Sequence, residues 1–195
     1  AFVQRYKRCN FIDAAKWRGL RDDLSVMVDP VCFAFDVMPD RSSGSIVAAG
    51  FRSDGLLHVE VVDRRPGTGW MAERMQELRD VHRPRAVVCD GVSPCASLVD
   101  DLKGRGVAVD VLATRDFVRA CGHLFDVVDQ GRLRHLGTPE LEVAVRGAAT
   151  RPLVDSWAWS RKTSLVDISP LVAATLALWA VASGRGAAAP WADLW

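Results

Sequence analysis

The sequence predicts an α/β domain with a mixed central sheet, antiparallel on one side, parallel on the other, and with helices on both faces. Two observations carry this prediction. Three apolar runs of strand length follow one another between short turns early in the chain. After Trp70 the apolar period changes, and helical and strand-like segments alternate from there. Strands joined by short turns pair antiparallel, whereas strands joined through a helix pair parallel.

The three early runs are predicted strands, Val31 to Met38, Ser45 to Arg52 and Leu56 to Val62. The pair Asp54-Gly55 separates the second run from the third and is a strong signal for a hairpin turn. Because both connections are short, the three strands are expected to form an antiparallel meander.

The elements after Trp70 alternate between helix and strand. Met71, Met75, Leu78 and Val81 recur at helical spacing, and an apolar strand from Arg85 to Asp90 follows them. The remaining predicted elements are a helix from Pro94 to Lys103, a strand from Val107 to Leu112, a helix from Thr114 to Val128, a ribbon from Leu133 to Gly137, a helix from Pro139 to Ala149, a strand from Ser156 to Arg161 and a helix from Ile168 to Ser183. This is the element order of the RNase H-like fold.

Composition indicates one domain. The chain has 195 residues, 49% of them hydrophobic, and a formal net charge of +1. Since basic and acidic residues are interspersed, binding of a polyanion would need a local basic patch. The five cysteines show no CxxC spacing and are expected to be reduced core residues. The longest apolar stretch is too short to cross a bilayer, so no membrane association is expected.

The predicted boundaries follow from the same patterns. Residues 1–30 show no sustained period and are interpreted as a linker or lead-in, residues 31–183 as the domain, and residues 184–195 as a C-terminal tail. The chain begins with Ala and has no charged-then-apolar leader, so we expect it to be part of a longer protein.

Three aspartates stand at comparable places in the pattern. Asp36 and Asp90 each end an apolar strand, and Asp167 precedes the last helix. A carboxylate at the end of a buried run is costly unless it is hydrogen-bonded, paired or bound to a cation. A right-handed crossover would place the two strands side by side, about 4.8 Å apart, with both carboxylates at one sheet edge.

Carboxylates gathered in this way suit hard divalent ions such as Mg²⁺. Two such ions can activate a water and stabilise the departing 3′ oxygen of a phosphodiester, which would explain a site without an obvious histidine base. We therefore predict a two-metal nuclease site formed by Asp36, Asp90 and Asp167.

Each of these residues also has a structural explanation. Asp36 and Asp90 could begin turns, and Asp167 could cap the last helix. Basic side chains beside the acids could line a DNA path, although charged surfaces are often simply solvated. The candidate DNA-binding residues are Arg146, Arg151, Arg161 and Lys162.

The C-terminal part of the sequence resembles a known family. The segment Trp157-Ala158-Trp159-Ser160-Arg161-Lys162, followed by Asp167-Ile168-Ser169-Pro170 and the apolar helix, is similar to the closing signature of one class of viral nuclease. That class is the C-terminal nuclease domain of the terminase large subunit of tailed double-stranded DNA viruses. The strands ending in Phe35-Asp36 and Val88-Cys89-Asp90 resemble its two earlier metal-binding strands in order and spacing. The resemblance extends from about Val31 to Val181.

The resemblance implies an RNase H-like endonuclease, a hydrolase that cleaves concatemeric viral DNA during genome packaging. It implies two Mg²⁺ or Mn²⁺ ions bound by Asp36, Asp90 and Asp167. It further implies double-stranded DNA as substrate, the small terminase subunit and the portal as partners, and the host cell cytoplasm as location. No GxxxxGK[ST] motif is present, so ATP hydrolysis is not assigned to this chain, and residues 1–30 would connect it to a separate ATPase domain.

Two other classes stay open. Another RNase H-like phosphotransferase, such as a junction resolvase or a transposase core, would prefer branched or transposon-end DNA over plain duplex. A non-enzymatic α/β protein-binding module would use Asp36 and Asp90 only to cap turns, and its melting temperature would not respond to Mn²⁺.

Overall fold

The computed structural model describes residues 11–186 and is centred on a mixed sheet of six strands. In chain order the strands are β1 (Val28–Val37), β2 (Ser43–Phe51), β3 (Leu57–Pro66), β4 (Ala86–Asp90), β5 (Asp110–Leu112) and β6 (Leu133–His135). They lie in the order β5-β4-β1-β2-β3-β6. The β1–β2 and β2–β3 pairs are antiparallel, and the β1–β4, β4–β5 and β3–β6 pairs are parallel. The predicted mixed sheet with its antiparallel meander is confirmed.

Helices cover both faces of this sheet. Within the described residues they are α1 (Ala14–Gly19), α2 (Met71–His82), α3 (Val99–Gly104), α4 (Thr114–Asp129), α5 (Pro139–Gly147) and α6 (Ser169–Ala182). A 3₁₀ turn at Pro94–Leu98 precedes α3, where the sequence predicted one continuous helix. A separate hairpin joins β7 (Thr150–Leu153) to β8 (Ser156–Trp159), and β7 was not predicted.

Alternate residues of the central strands supply two cores. Cys32 and Ala34 of β1 pack with α4 and α6 on one face, whereas Phe33 and Phe35 pack with α2 and α3 on the other. The helix α6 buries 12 of its 14 residues because it lies between the sheet and α4. As predicted, the cysteines within the described residues are buried and free, whereas Cys9 lies outside those residues.

The segment before β1 belongs to the folded domain. The side chains of Ile12, Trp17 and Leu20 are buried in the core on the α6 side, and the indole Nε1 of Trp17 donates to Glu142 at 2.9 Å. The domain therefore begins before Val31, earlier than the predicted boundary. Residues 1–10 and 187–195, which include most of the predicted tail, lie outside the described residues. In the part of the chain that is described, no helix combines the length and apolarity that a membrane span requires.

Candidate active site

The strand register brings Asp36 and Asp90 together at one end of the sheet. In the parallel β1–β4 pair, Ala34 lies opposite Val88. Two residues further along each strand, Asp36 and Asp90 fall on the same face, which is the face covered by α6. The side chain of Asp36 is completely buried, and that of Asp90 is 3% exposed. Two carboxylates are thus held side by side, away from water.

Arg161 binds both of these acids. Its Nε and Nη2 donate to the two carboxylate oxygens of Asp36 at 2.9 and 2.8 Å, and Nη2 also donates to Oδ2 of Asp90 at 3.1 Å. Arg161 follows β8, and its guanidinium lies 5.5 Å from the ring centre of Phe117 on α4. One guanidinium therefore bridges two buried carboxyl groups.

Burial dominates the electrostatics of this cluster. Removal from water raises the pKa of Asp36, although the guanidinium of Arg161 and the hydroxyl of Ser93 act in the opposite direction. The Ser93 hydroxyl donates to Oδ1 of Asp36 at 2.8 Å and so fixes the orientation of the carboxylate. Burial also disfavours the charged form of Arg161, but the carboxylates of Asp36 and Asp90 outweigh that effect and raise its pKa. Arg161 is therefore a permanent cation in this position.

Asp167 lies at the same end of the sheet but in a different set of contacts. Its Oδ2 accepts hydrogen bonds from Ser43 Oγ at 2.6 Å and from Arg64 Nε at 3.0 Å. Its Oδ1 accepts from the backbone N–H of Ser169, at the beginning of α6, at 2.8 Å. Partial burial raises the pKa of Asp167, but these hydrogen bonds outweigh it, and the pKa is lowered. Asp167 is therefore stabilised as a carboxylate.

Two serines lie between the strand of Asp36 and Asp167. Ser45 lies opposite Asp36 in the β1–β2 pair, and its hydroxyl is 2.8 Å from that of Ser169. The backbone N–H of Ser169 also binds Asp167, but within residues 11–186 no hydrogen bond joins Asp167 or Ser45 to the side chains of Asp36 and Asp90.

The residues fit a divalent ion only if Arg161 moves. Among residues 11–186, no three His, Cys, Asp or Glu side chains converge into a group that could hold a metal ion. Carboxylate oxygens are nevertheless the ligands that Mg²⁺ and Mn²⁺ prefer. The position between Asp36 and Asp90 already holds a positive group, so the surrounding charge suits a cation there.

The other predicted DNA-binding residues lie on the surface. Arg146 of α5 is 59% exposed and lies 3.7 Å from Glu142. Arg151 and Lys162 are also exposed, the latter directly after Arg161. Their role in DNA binding stays a prediction.

Sequence reasoning did not single out three residues that contact this region, namely Ser43, Arg64 and Ser93. Arg64 lies opposite Ser45 in the β2–β3 pair only because a β-bulge between Ile46 and Val47 shifts the register by one residue, so a regular register counted from the hairpin would not have identified it. Ser93 lies three residues after Asp90, in the loop where a parallel strand ends. Such loops often carry binding residues, and this is the signal that could have found it.

Comparison with solved structures identifies the fold. The large terminase of bacteriophage HK97 is similar with a TM-score of 0.73 and 14% identity over 88% of this chain. The large terminase nuclease of thermophilic phage G20c gives a TM-score of 0.58 with 12% identity, over 77% of this chain and 82% of that one. The chain has the fold of a terminase nuclease domain. A manganese-containing mutant of the nuclease domain from bacterial virus Sf6 gives a TM-score of 0.60 with 12% identity, over 86% of this chain and 96% of that one.

The terminase nuclease fold accounts for most of the chain, and the predicted family resemblance is confirmed at the level of structure. The chain spans 43% of the length of the HK97 large terminase. No protein-family model and no curated protein sequence matches it.

Proposed function

We propose that this chain is a divalent-metal-dependent endonuclease, the nuclease domain of a terminase large subunit that cleaves concatemeric viral DNA during genome packaging. One observation carries the proposal: Asp36 and Asp90, two buried acids at the ends of neighbouring parallel strands, share the guanidinium of Arg161. The terminase nuclease fold supports it, and so does the general tendency of open α/β sheets to bind ligands beyond the carboxyl ends of their strands, where both acids occur in the sequence of β1 and β4. The G20c nuclease has been solved with magnesium and with cobalt, and the Sf6 domain with manganese and with calcium.

Asp36 and Asp90 would hold the metal, and Asp167 would complete the ligand set. When bound, a pair of Mg²⁺ or Mn²⁺ ions supplies Lewis acidity, which activates a water and stabilises the departing 3′ oxygen. Two buried carboxylates carry more charge than one guanidinium neutralises, and this excess favours binding of a divalent ion.

The residues of the chain prepare the site for this chemistry. Arg161 would hold the carboxyl groups of Asp36 and Asp90 together in the absence of metal. Ser93 holds the Asp36 carboxylate in a fixed orientation through its hydrogen bond to Oδ1. Once displaced by metal, the Arg161 guanidinium would be free to bind a DNA phosphate, to which it can donate two parallel hydrogen bonds. This would reconcile the position of Arg161 with its predicted role in DNA binding.

The biological setting is part of the same proposal. Double-stranded DNA would be the substrate, with the small terminase subunit and the portal as partners in the packaging machine. The reaction would take place in the host cell cytoplasm. ATP hydrolysis would be supplied by a separate ATPase domain of a large terminase.

A plasmid cleavage assay tests the proposal. We expect the chain to nick and linearise plasmid DNA with Mn²⁺ or Mg²⁺, and we expect Asp36→Asn, Asp90→Asn or Asp167→Asn to reduce the rate by about 100-fold or more, because each removes a metal-binding carboxylate. Asp54→Asn is a control, because Asp54 lies in an exposed turn and binds Arg52. Melting curves verify that each variant is folded.

Absence of metal-dependent cleavage by the wild-type chain, or undiminished cleavage by all three site variants, would refute the nuclease. A strong preference for branched or transposon-end DNA would select a resolvase or transposase instead. A melting temperature that does not respond to Mn²⁺ would favour the protein-binding module.

A further inference from the structure

We infer that Arg64 is a DNA-phosphate-binding residue, which binds Asp167 in the free protein and exchanges it for the phosphate backbone when DNA binds. The inference rests on the proposed nuclease function and deepens it, because it names a side chain that would position the DNA strand beside the acids.

Arg64 lies in the same cross-strand row as the buried acid pair. Asp36 is opposite Ser45, and Ser45 is opposite Arg64. Side chains of directly opposed residues share one face, so Arg64 projects on the face that carries the acids. Neighbouring strands are about 4.8 Å apart, which places the backbone of Arg64 about 10 Å from that of Asp36.

The contacts of Arg64 leave it available for a second acceptor. Its Nε and Nη2 both lie 3.0 Å from the same oxygen, Oδ2 of Asp167. Within residues 11–186 the Arg64 side chain makes no other hydrogen bond, and 36% of it is exposed. A guanidinium has five N–H donors in a planar fork, so most of its donors face outward. The carboxylate of Asp167 is only 13% exposed, but it keeps its hydrogen bonds from Ser43 and Ser169 when Arg64 leaves. A phosphate can offer the Arg64 guanidinium two parallel hydrogen bonds in place of the single carboxylate oxygen.

There is space for a phosphate beside Arg64. A pocket of about 280 Å³ is lined by Arg64, Pro139, Glu140, Val143 and Asp167. Arg64 is the basic side chain among the residues that line this pocket, and the carboxylates of Glu140 and Asp167 would repel a bound anion. A divalent ion bound to Asp167 would neutralise one of these carboxylates and release Arg64 at the same time. Metal binding and DNA binding are therefore expected to favour each other.

Arg65 provides a matched control. Successive residues of a strand point to opposite faces, and Arg65 accordingly lies over the ring of Trp70, 4.8 Å from its centre, and binds Asp63 at 2.8 Å. Its side chain is 47% exposed, compared with 36% for Arg64. The two arginines carry the same charge at adjacent positions and differ in the face that they occupy.

The test measures the binding of the full chain to a fluorescent DNA duplex between 0.05 and 0.3 M KCl, first without divalent metal. Arg64→Gln is expected to lower the slope of log affinity against log salt by about 0.9, the value for one phosphate contact, and to weaken binding by about eightfold at 0.1 M salt. Arg64→Lys should keep the slope, because it keeps the charge. Arg65→Gln should change the slope and the affinity by less than about a third of the changes expected for Arg64→Gln.

A second comparison tests the exchange itself. Asp167→Asn removes the competing carboxylate, so this variant should bind DNA more tightly than the wild type. The same substitution combined with Arg64→Gln should lose that gain. If Arg64 had only a structural role, Asp167→Asn would change the DNA affinity equally with and without Arg64→Gln. Since binding is measured without metal, loss of a metal ligand cannot account for the difference.

Equal slopes for Arg64→Gln and the wild type, or an equal loss in Arg65→Gln, would overturn the assignment of Arg64. If the wild type cleaves plasmid with Mn²⁺ but Arg64→Gln does not change the salt dependence or the affinity of DNA binding, the nuclease proposal is supported and the role of Arg64 is wrong. If the wild type neither binds nor cleaves DNA, the proposed function itself falls, and the inference with it.

Discussion

Replacing Arg161 with alanine probes the candidate site most severely. The substitution removes the cation that binds Asp36 and Asp90, both of them buried. Two carboxylates would then face each other without a partner in a region that excludes water. One or both would have to take up a proton, or the surrounding structure would have to open.

The structure sets the expected size of the effect. Removal of one partner from a buried ion pair costs about 3 to 5 kcal/mol, because the remaining charge is buried without compensation. For a domain of this size, each kcal/mol lowers the melting temperature by about 2 to 4 °C, so Arg161→Ala should melt about 6 to 20 °C below the wild type at neutral pH without metal. The difference should shrink on acidification, since protonation removes the repulsion between the carboxylates.

Differential scanning fluorimetry with and without Mn²⁺ measures both effects. Mn²⁺ should raise the melting temperature of Arg161→Ala more than that of the wild type, because the ion no longer competes with the guanidinium. Arg146→Ala is the control, since Arg146 is exposed and its contact with Glu142 is 3.7 Å long. If the metal-free Arg161→Ala protein melts within about 2 °C of the wild type, or if Mn²⁺ shifts both proteins equally, Arg161 does not stabilise the buried acids as an ion-pair partner.

Two further predictions concern the same site. Ser93→Ala removes the hydrogen bond that orients Asp36. The affinity for Mn²⁺, measured by calorimetry, should therefore fall by about 10-fold, whereas the free energy of unfolding should change by only about 1 kcal/mol. An unchanged affinity would exclude a positioning role for Ser93. Burial raises the pKa of Asp36 above its ordinary value of 3.8, and only the ionised carboxylate binds metal. On acidification, Mn²⁺ binding should therefore begin to weaken at a pH above 3.8. If binding weakens only below that value, Asp36 is not a metal ligand with a raised pKa.

The repeating patterns of the sequence predicted most of the sheet. The Asp54-Gly55 turn and the apolar runs around it gave the meander, and the helical spacing from Met71 placed the crossover that makes β1 and β4 parallel neighbours. In the register of the structure, with Ala34 opposite Val88, Asp36 and Asp90 lie side by side. The handedness of the crossover allows this neighbourhood, but the register itself comes from the packing of the sheet.

Short and atypical elements were missed for physical reasons. The strand β7 contains Pro152, which cannot donate to a sheet and therefore argues against a strand in the sequence, although the residue is tolerated at the edge of a two-stranded hairpin. The helix α1 has six residues, too few to show an apolar period, and only Trp17 among them is buried.

The contacts of the acids could not be read from the sequence. Arg161 is separated from Asp36 by 125 positions, and no local spacing reports such a contact. Its basic character indicated a DNA-binding residue, whereas the structure uses the charge to bind the acids. The binding of Asp167 by Ser43 and Arg64 is equally distant in sequence, and the role of Asp167 as a metal ligand stays a prediction.

A crystal structure obtained after soaking with Mn²⁺ examines the proposed metal site without reference to activity, because anomalous scattering locates the ion. Mn²⁺ is expected between the carboxylates of Asp36 and Asp90, with the Arg161 guanidinium turned away from both. If Arg161 still bridges the two acids at saturating Mn²⁺ and no ion contacts either of them, the proposed metal site is wrong.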